Sequence, residues 1–454
     1  MKRKMTAYLL NWKNNRKNAL IVYGARQVGK SYSIDEFARN NFKNYLLIDF
    51  SKNMDALSLL ESFKDKEDFY NKISFFNIHD EDCVIFFDEI QELYNYRKKR
   101  MERNPEIYLK TIDLITLIKD LVQDAKYRYV ISGSMLGVTL SGVNLNPTGY
   151  MDMCVMYPMD YEEFLWARGI GENVVKLLLQ HFTDKTPVEE AIHDKMIDLF
   201  NEYVLVGGMP AAVSEYVKSK EFQNVEIVQD GIYNFYNADI LKYADTSDRL
   251  IISEMFNMLS AEVNNINKRF IKNHLDIKNI KNLDLIDKYS WLTNSGIALP
   301  VYNVTSLNYP LKLSEERKVL KLFHSDVGLL SNRLMGSEGR LKFLRGEIKV
   351  NFGANYENAV AQELVAHGFK ELNYYNSKKS GEIDFVLERN TEVELIEVKS
   401  GKTNEMERFN HKSLDNALEK YDKINKAYVF SKENVSVEGR IINYPIYMIM
   451  FLKR

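Results

Sequence analysis

The segment Gly24-Ala25-Arg26-Gln27-Val28-Gly29-Lys30-Ser31 constrains the fold of this chain more than any other. It fits the pattern GxxxxGK[ST], in which a glycine-bearing loop joins a buried strand to the start of a helix. An apolar run, Ala19–Tyr23, precedes it and a helix-like segment, Tyr32–Arg39, follows. Gly24 and Gly29 let the backbone curl until its N–H groups converge on phosphate oxygens. The helix adds the positive end of its dipole. Lys30 is then expected to reach the β- and γ-phosphates of ATP, and the Ser31 hydroxyl to ligate Mg2+. The expected nucleotide contacts are Gly24, Ala25, Arg26, Gln27, Val28, Gly29, Lys30, Ser31 and Tyr32.

A partner motif lies at Cys83-Val-Ile-Phe-Phe-Asp88-Glu89, an apolar strand ending in two acids. Asp88 is expected to hold Mg2+ through its hydration shell, and Glu89 to orient or polarise the attacking water. The run Tyr127–Ser132 reads as another strand, ending in Ser132-Gly133-Ser134. A polar side chain there would sense the γ-phosphate or place the water, or would simply cap the strand in a turn. Ser132 is the candidate, but spacing does not choose between it and Ser134.

Length bounds the rest. A chain of 454 residues exceeds one ordinary core and calls for about three domains. The net charge of -2 gives no global basic field for nucleic acid. Cys83 and Cys154 stand far apart and form no disulfide framework, and no apolar run is long enough for a bilayer, so the cytoplasm is the default location. The basic run Arg97-Lys98-Lys99-Arg100 with Arg103 reads as a solvated face, or as a grip on a phosphate backbone.

Short β-branched or aromatic runs up to about residue 165 predict parallel strands with helical crossovers. Residues 166–250 read as helical, interrupted by a turn at Gly207-Gly208-Met209-Pro210. Residues 251–340 read as a small winged-helix-like module, with a hairpin from Ile297–Val304 and Leu311–Leu313. Residues 341–454 return to βα alternation: a helix at Tyr356–His367, strands at Leu372–Tyr375, Ile383–Glu388, Val393–Val398 and Ala427–Phe430, and a further one at Tyr444–Phe451.

With these motifs in order, the chain resembles the prokaryotic AAA-type ATPases that carry a C-terminal nuclease-like domain of unknown function. The resemblance rests on GARQVGKS (24–31), FFDEI (86–90), SGSML (132–136), YPMDYEEFL (157–165) and the Gly207–Pro210 turn. It also uses Asp239-Ile240, KLFHSDVGLL (321–330), GANYENAVAQEL (353–364), GEIDFVLE (381–388) and IEVKSGK (396–402). One departure is Tyr150 after Gly149, where the family has Gly-Arg. If that arginine contacts phosphate in relatives, this chain lacks the contact or supplies it from elsewhere, with Arg128 and Arg168 as the candidates.

The expected architecture is α/β: a P-loop NTPase parallel sheet at 1–165, a helical lid, the winged-helix-like module and, as the resemblance implies, a PD-(D/E)xK, restriction-endonuclease-like C-terminal domain. Strand alternation puts Glu397 and Lys399 on one face, and a hairpin around Arg389–Glu392 would set Asp384 beside Glu397. Glu357, on the preceding helix, would add a further acid. Such a cluster binds Mg2+ and stabilises a phosphorane, or is merely a polar sheet face with ion pairs. Three readings stay open: an ATP-driven switch, an ATP-regulated Mg2+-dependent DNA nuclease, and a DNA- or protein-binding scaffold that uses ATP for assembly. ATP and Mg2+ are the expected cofactors. DNA, a partner protein and a second copy of the chain are open as partners, and no membrane is expected.

Overall fold

The computed structural model describes residues 1–454 apart from 79–81, 135, 137–148, 264–281, 349–351, 378–379 and 402–410. Its residues group into two compact units, Lys2–Tyr157 with Asn294–Gly296, and the remainder from Pro158 onward.

The first unit is built on a five-stranded sheet: β1 (Ala19–Tyr23), β2 (Asn44–Asp49), β3 (Cys83–Asp88), β4 (Arg128–Gly133) and β5 (Met151–Val155), in the order β2-β3-β4-β1-β5. Every pairing is parallel. Parallel strands are covered on both faces, which is why β3 is buried along its whole length and reads as unbroken apolar sequence until Asp88. Ile21, Ile85, Phe87 and Ile131 carry the core on one face, with Leu117 and Leu121 of helix Leu114–Asp124 packed onto them. Phe87 stacks on Phe50 at 6.0 Å and meets the edge of Phe69. In such sheets ligands bind beyond the carboxyl ends of the strands, where the crossovers change direction. Here β1, β3 and β4 all end at that edge.

The second unit combines helices with an eight-stranded mixed sheet. Its strands are β6 (Ala298–Val304), β7 (Glu315–His324), β8 (Leu372–Ser377), β9 (Gly381–Arg389), β10 (Glu392–Val398), β11 (Lys426–Ser431), β12 (Ser436–Glu438) and β13 (Ile441–Pro445). They run in the order β12-β13-β11-β10-β9-β8-β6-β7. The β9–β10 hairpin turns through Asn390 and Thr391, both at positive φ (52° and 67°), as a two-residue turn matched to strand twist requires.

Three sequence expectations are corrected here. Leu311–Ser314 is a short 3-10 helix, and the second strand of that hairpin is β7. The last strand is Ile441–Pro445, and Ile446–Phe451 is a 3-10 turn. The β6–β7 hairpin does not stand as the wing of a separate winged-helix module: β6 pairs in parallel with β8 and so extends the C-terminal sheet. The part of that module at 264–281 lies outside the described residues.

The helix Gly353–Ala366 is buried from Ala354 to Leu364 although it carries several amides and acids. The amides complete the hydrogen bonding of chain that has no water to turn to. Asn358 accepts from the backbone N–H of His324 and donates to its carbonyl, both at 2.9 Å. Gln362 accepts from Val327 N at 2.9 Å. Glu363 accepts from Tyr161 N at 2.7 Å and from the Tyr203 hydroxyl at 2.8 Å. Asp326, itself buried, accepts from Gly208 N at 2.6 Å and caps the helix that starts at Val327. The Gly207–Pro210 turn is glycine-rich for a steric reason: a Cβ on Gly208 would lie 2.0 Å from the Met159 carbonyl oxygen. Gly208→Ala is therefore expected to destabilise the fold by roughly 3 kcal/mol, as overpacking against fixed backbone does, with the loss read from urea denaturation midpoints.

Candidate nucleotide site and C-terminal carboxylate cluster

The loop after β1 takes the conformation its sequence demands. Gly24, Gln27 and Gly29 have positive φ (143°, 68° and 94°), and helix Lys30–Asn41 begins at once, with Gly29 as its N-cap. A Cβ on Gly24 would fall 2.2 Å from the Met156 carbonyl oxygen, so only glycine fits there. Val28 is fully buried and fixes the loop from below. Arg3 ties its outside: its guanidinium donates to the Val28 carbonyl at 2.8 Å and to the Tyr157 carbonyl at 2.9 Å. Nothing in the sequence marks that role, since Arg3 reads as one of three basic residues at the N-terminus. The Lys30 ammonium donates back to the loop carbonyls of Gly24 (3.0 Å) and Ala25 (2.7 Å). Tyr32, 61% exposed, stands on the solvent side of the helix.

Asp88 is buried at the end of β3, where three segments come together. The Ser132 hydroxyl of β4 donates to it, the Glu89 N–H donates to it at 3.1 Å, and Ser31 of the loop helix lies near enough to lower its pKa. Glu89 sits at φ 52°, which turns its carboxylate aside to accept from the Gln91 amide and from the Ser134 hydroxyl at 3.0 Å. The two serines have different partners: Ser132 serves Asp88 and Ser134 serves Glu89. Met135 of the same motif lies outside the described residues. Two participants escaped the sequence reading. Gln91 is fully buried, and a Cβ on Gly133 would fall 2.6 Å from its Oε1. Asp49 ends β2 directly opposite Asp88. The motif FFDEI followed by Gln91 was the available signal for the first. The alignment of strand ends, which needs the sheet, was the signal for the second.

The donor set fits Mg2+ held with a nucleotide. One serine hydroxyl and one carboxylate meet beside the loop, and this ion keeps most of its shell as water and phosphate oxygens. The replacements proposed for the missing arginine do not fit. Arg128 begins β4, at the other end of that strand from Ser132. It stacks on Trp12 at 4.4 Å and donates to the Arg16 carbonyl at 2.7 Å. Arg168 makes a two-pronged bond to Glu202 at 2.8 and 3.1 Å. Tyr150 accepts from Gln123 at 2.6 Å. In the basic run, Arg97 is spent on the carbonyls of Glu61 and Ile112, while Lys98, Lys99 and Arg103 are exposed.

In the second unit the predicted acids do converge. Phe385 pairs with Ile396, so Asp384 and Glu397 are neighbours one step further along, and Asp384 accepts from Val398 N at 2.8 Å. Lys399 pairs with Glu397 at 2.5 Å, and His411 lies 4.0 Å from the other oxygen of that carboxylate. Burial raises the pKa of Glu397, Lys399 opposes the rise, and Asp384 adds to it. Glu357, buried on helix Gly353–Ala366, faces Lys321 of β7 at 3.9 Å, and Glu382 pairs with the same ammonium at 2.7 Å. Lys321 carries no local signal for this role, because it lies 36 residues before Glu357 on a strand that only tertiary pairing brings to this sheet. Lys402 lies outside the described residues.

The parallel sheet, the loop after β1 and the acids after β3 define a P-loop nucleotide-binding domain. Residues 16–165 match the family model described as an AAA domain, so this part of the chain is an AAA-type P-loop domain. Residues 197–339 and 352–448 match two domains of unknown function (DUF8612 and DUF4143). No curated protein matches the chain. Among solved structures it is similar to the Walker-type ATPase PABY2304 of Pyrococcus abyssi, with 14% identity and a TM-score of 0.41 over 73% of this chain and 95% of the other. It is also similar to Cdc6p of Pyrobaculum aerophilum (12% identity, TM-score 0.25, 76% and 93% covered) and to PCH-2 of C. elegans (13%, 0.26, 48% and 60%). These scores are too low to carry an assignment by themselves. Among the described residues no helix is long and apolar enough to cross a membrane.

Burial is the largest influence on Asp88, and it raises the pKa; the Ser132 and Ser31 bonds pull it down, and Glu89 and Asp49 push it further up. A carboxyl whose folded pKa is raised favours folding while protonated and loses that contribution as pH rises through the folded value. In nucleotide-free, metal-free protein, Asp88→Asn is therefore expected to raise Tm by a few degrees at neutral pH. The gain should shrink to nothing as pH falls below the ordinary aspartate range, which thermal melts across pH would show.

Proposed function

We propose that the first unit binds and hydrolyses ATP, with Gly24–Tyr32 as its phosphate cradle. The observation that carries this reading is the curled loop that opens helix Lys30–Asn41 beside the Asp88–Ser132 pair, with Ser31 near Asp88 and Glu89 one residue on. Loop amides and the dipole of helix Lys30–Asn41 would receive the phosphates. Lys30 would exchange the carbonyls of Gly24 and Ala25 for β- and γ-phosphate oxygens. Ser31 and Asp88 would hold Mg2+, which supplies neutralising charge to the reacting phosphate. Glu89 would leave Gln91 and Ser134 to take a proton from the attacking water. Ser132 would keep Asp88 oriented.

Lys30→Ala is expected to abolish binding of a fluorescent ATP analogue; unchanged affinity would remove the reading. Glu89→Gln should keep that affinity and lower turnover by roughly 10² to 10⁴, the usual weight of a general base.

We read the second unit as PD-(D/E)xK-like, its state switched by the nucleotide. The neighbouring Asp384, Glu397 and Lys399 favour a second reading, an Mg2+-dependent DNA nuclease. The switch reading expects no metal-dependent cleavage of plasmid or oligonucleotide DNA. Cleavage by the wild type that disappears in both Asp384→Ala and Glu397→Ala would establish the nuclease instead.

A further inference from the structure

A divalent cation is what the acids of the second unit would be expected to hold, since clustered carboxylates normally balance their charge that way. The donor set does not fit one. Lys321 is 1% exposed and sits against the cluster: 2.7 Å from Glu382, 3.9 Å from Glu357, and 4.7 Å over the ring of Tyr374. Asp384 acts on the same ammonium electrostatically. The chain also occupies one oxygen each of Asp384, Glu382 and Glu397. Asp384 accepts from Val398 N, Asn376 donates to Glu382 at 2.6 Å, and Lys399 holds Glu397. Among the described residues, no three His, Cys, Asp or Glu side chains are arranged to hold a metal.

Geometry makes the two cations competitors. An Mg2+ ligand distance is about 2.1 Å. An ion on Glu357 would therefore lie within a few ångströms of the Lys321 ammonium, where water cannot screen the repulsion. An ammonium also needs no octahedral shell. It takes carboxylate oxygens and an aromatic face together, as Lys321 does.

We propose that Lys321 is the built-in cation of this cluster. The site is metal-independent, and it is so because β7 delivers an ammonium to the place a divalent ion would take. The second unit thereby keeps a nuclease-like arrangement of acids while lacking metal-dependent phosphodiester cleavage. Lys321→Met should open the place to a divalent ion, because Glu357, Glu382 and Asp384 would otherwise be left without their buried counter-charge.

The test is Mn2+ binding to the full-length, nucleotide-free chain, followed by electron paramagnetic resonance. Asp88→Asn is included throughout to silence the first unit. With Lys321 intact, no saturable Mn2+ is expected up to about 1 mM, the weak end of oxygen-ligand sites. Lys321→Met on that background should gain one Mn2+ per chain, and adding Asp384→Asn or Glu357→Gln should remove it. One Mn2+ bound with Lys321 present, and lost on Asp384→Asn, overturns the proposal. So does a folded Lys321→Met chain that gains none. Should Lys321→Met fail to fold, the Lys321-intact titration with and without Asp384→Asn decides alone. The readout is independent of ATP hydrolysis.

Discussion

The buried carboxylate of Asp88 is the constraint on which the first unit turns. A charge at the end of a fully buried strand is costly unless its lone pairs are filled. Here they are filled by Ser132 from β4 and the N–H of Glu89, with Ser31 of the loop helix close by. One side chain thereby ties the end of β3 to the end of β4 beside the loop. Desolvation still leaves Asp88 short of compensation, and the neighbouring acids Asp49 and Glu89 add to the deficit. A buried carboxylate that is short of positive charge is suited to receive a cation. The left-handed backbone at Gln27 and Glu89 belongs to the same economy, because functional sites often keep features that stability alone would remove.

The second unit solves a related problem by other means. Its central helix, Gly353–Ala366, is buried with its amides, and those amides serve the backbone of His324 and Val327. Asp326 does the same for the Gly207–Pro210 turn. These are the residues that make GANYENAVAQEL and KLFHSDVGLL look like motifs. Their polarity reads as chemistry in a sequence, yet in the fold it satisfies hydrogen bonds that no water reaches. Lys321 and Glu357 belong to this polar interior too, and they show how a cluster of acids can be neutralised within the protein.

The loop, the acid-tipped strand and the β9–β10 hairpin were legible from residues alone because each depends on neighbours within about ten positions. Glycine spacing fixes a curl, an apolar run fixes a parallel strand, and two-residue alternation fixes which side chains share a face. The errors occurred where partners are distant. Leu311 looked like a strand because it is apolar, but the ladder beside β6 is completed by Glu315–His324. Arg128 looked available for phosphate because arginines often are, but it begins its strand and is fastened to Trp12 and Arg16.

By itself, then, the sequence determined that a P-loop follows β1, that Asp88 ends a buried strand with Glu89 next to it, and that Asp384, Glu397 and Lys399 share one face. Tertiary structure alone decided the joining of β6 and β7 to the C-terminal sheet. It also decided the division of labour between Ser132 and Ser134, the roles of Arg3, Asp49 and Gln91, and the placement of Lys321 among the acids. The physical reason is range. Backbone geometry and side-chain alternation are written locally, whereas the burial of a charge and the partner that neutralises it depend on which distant segments the core brings together.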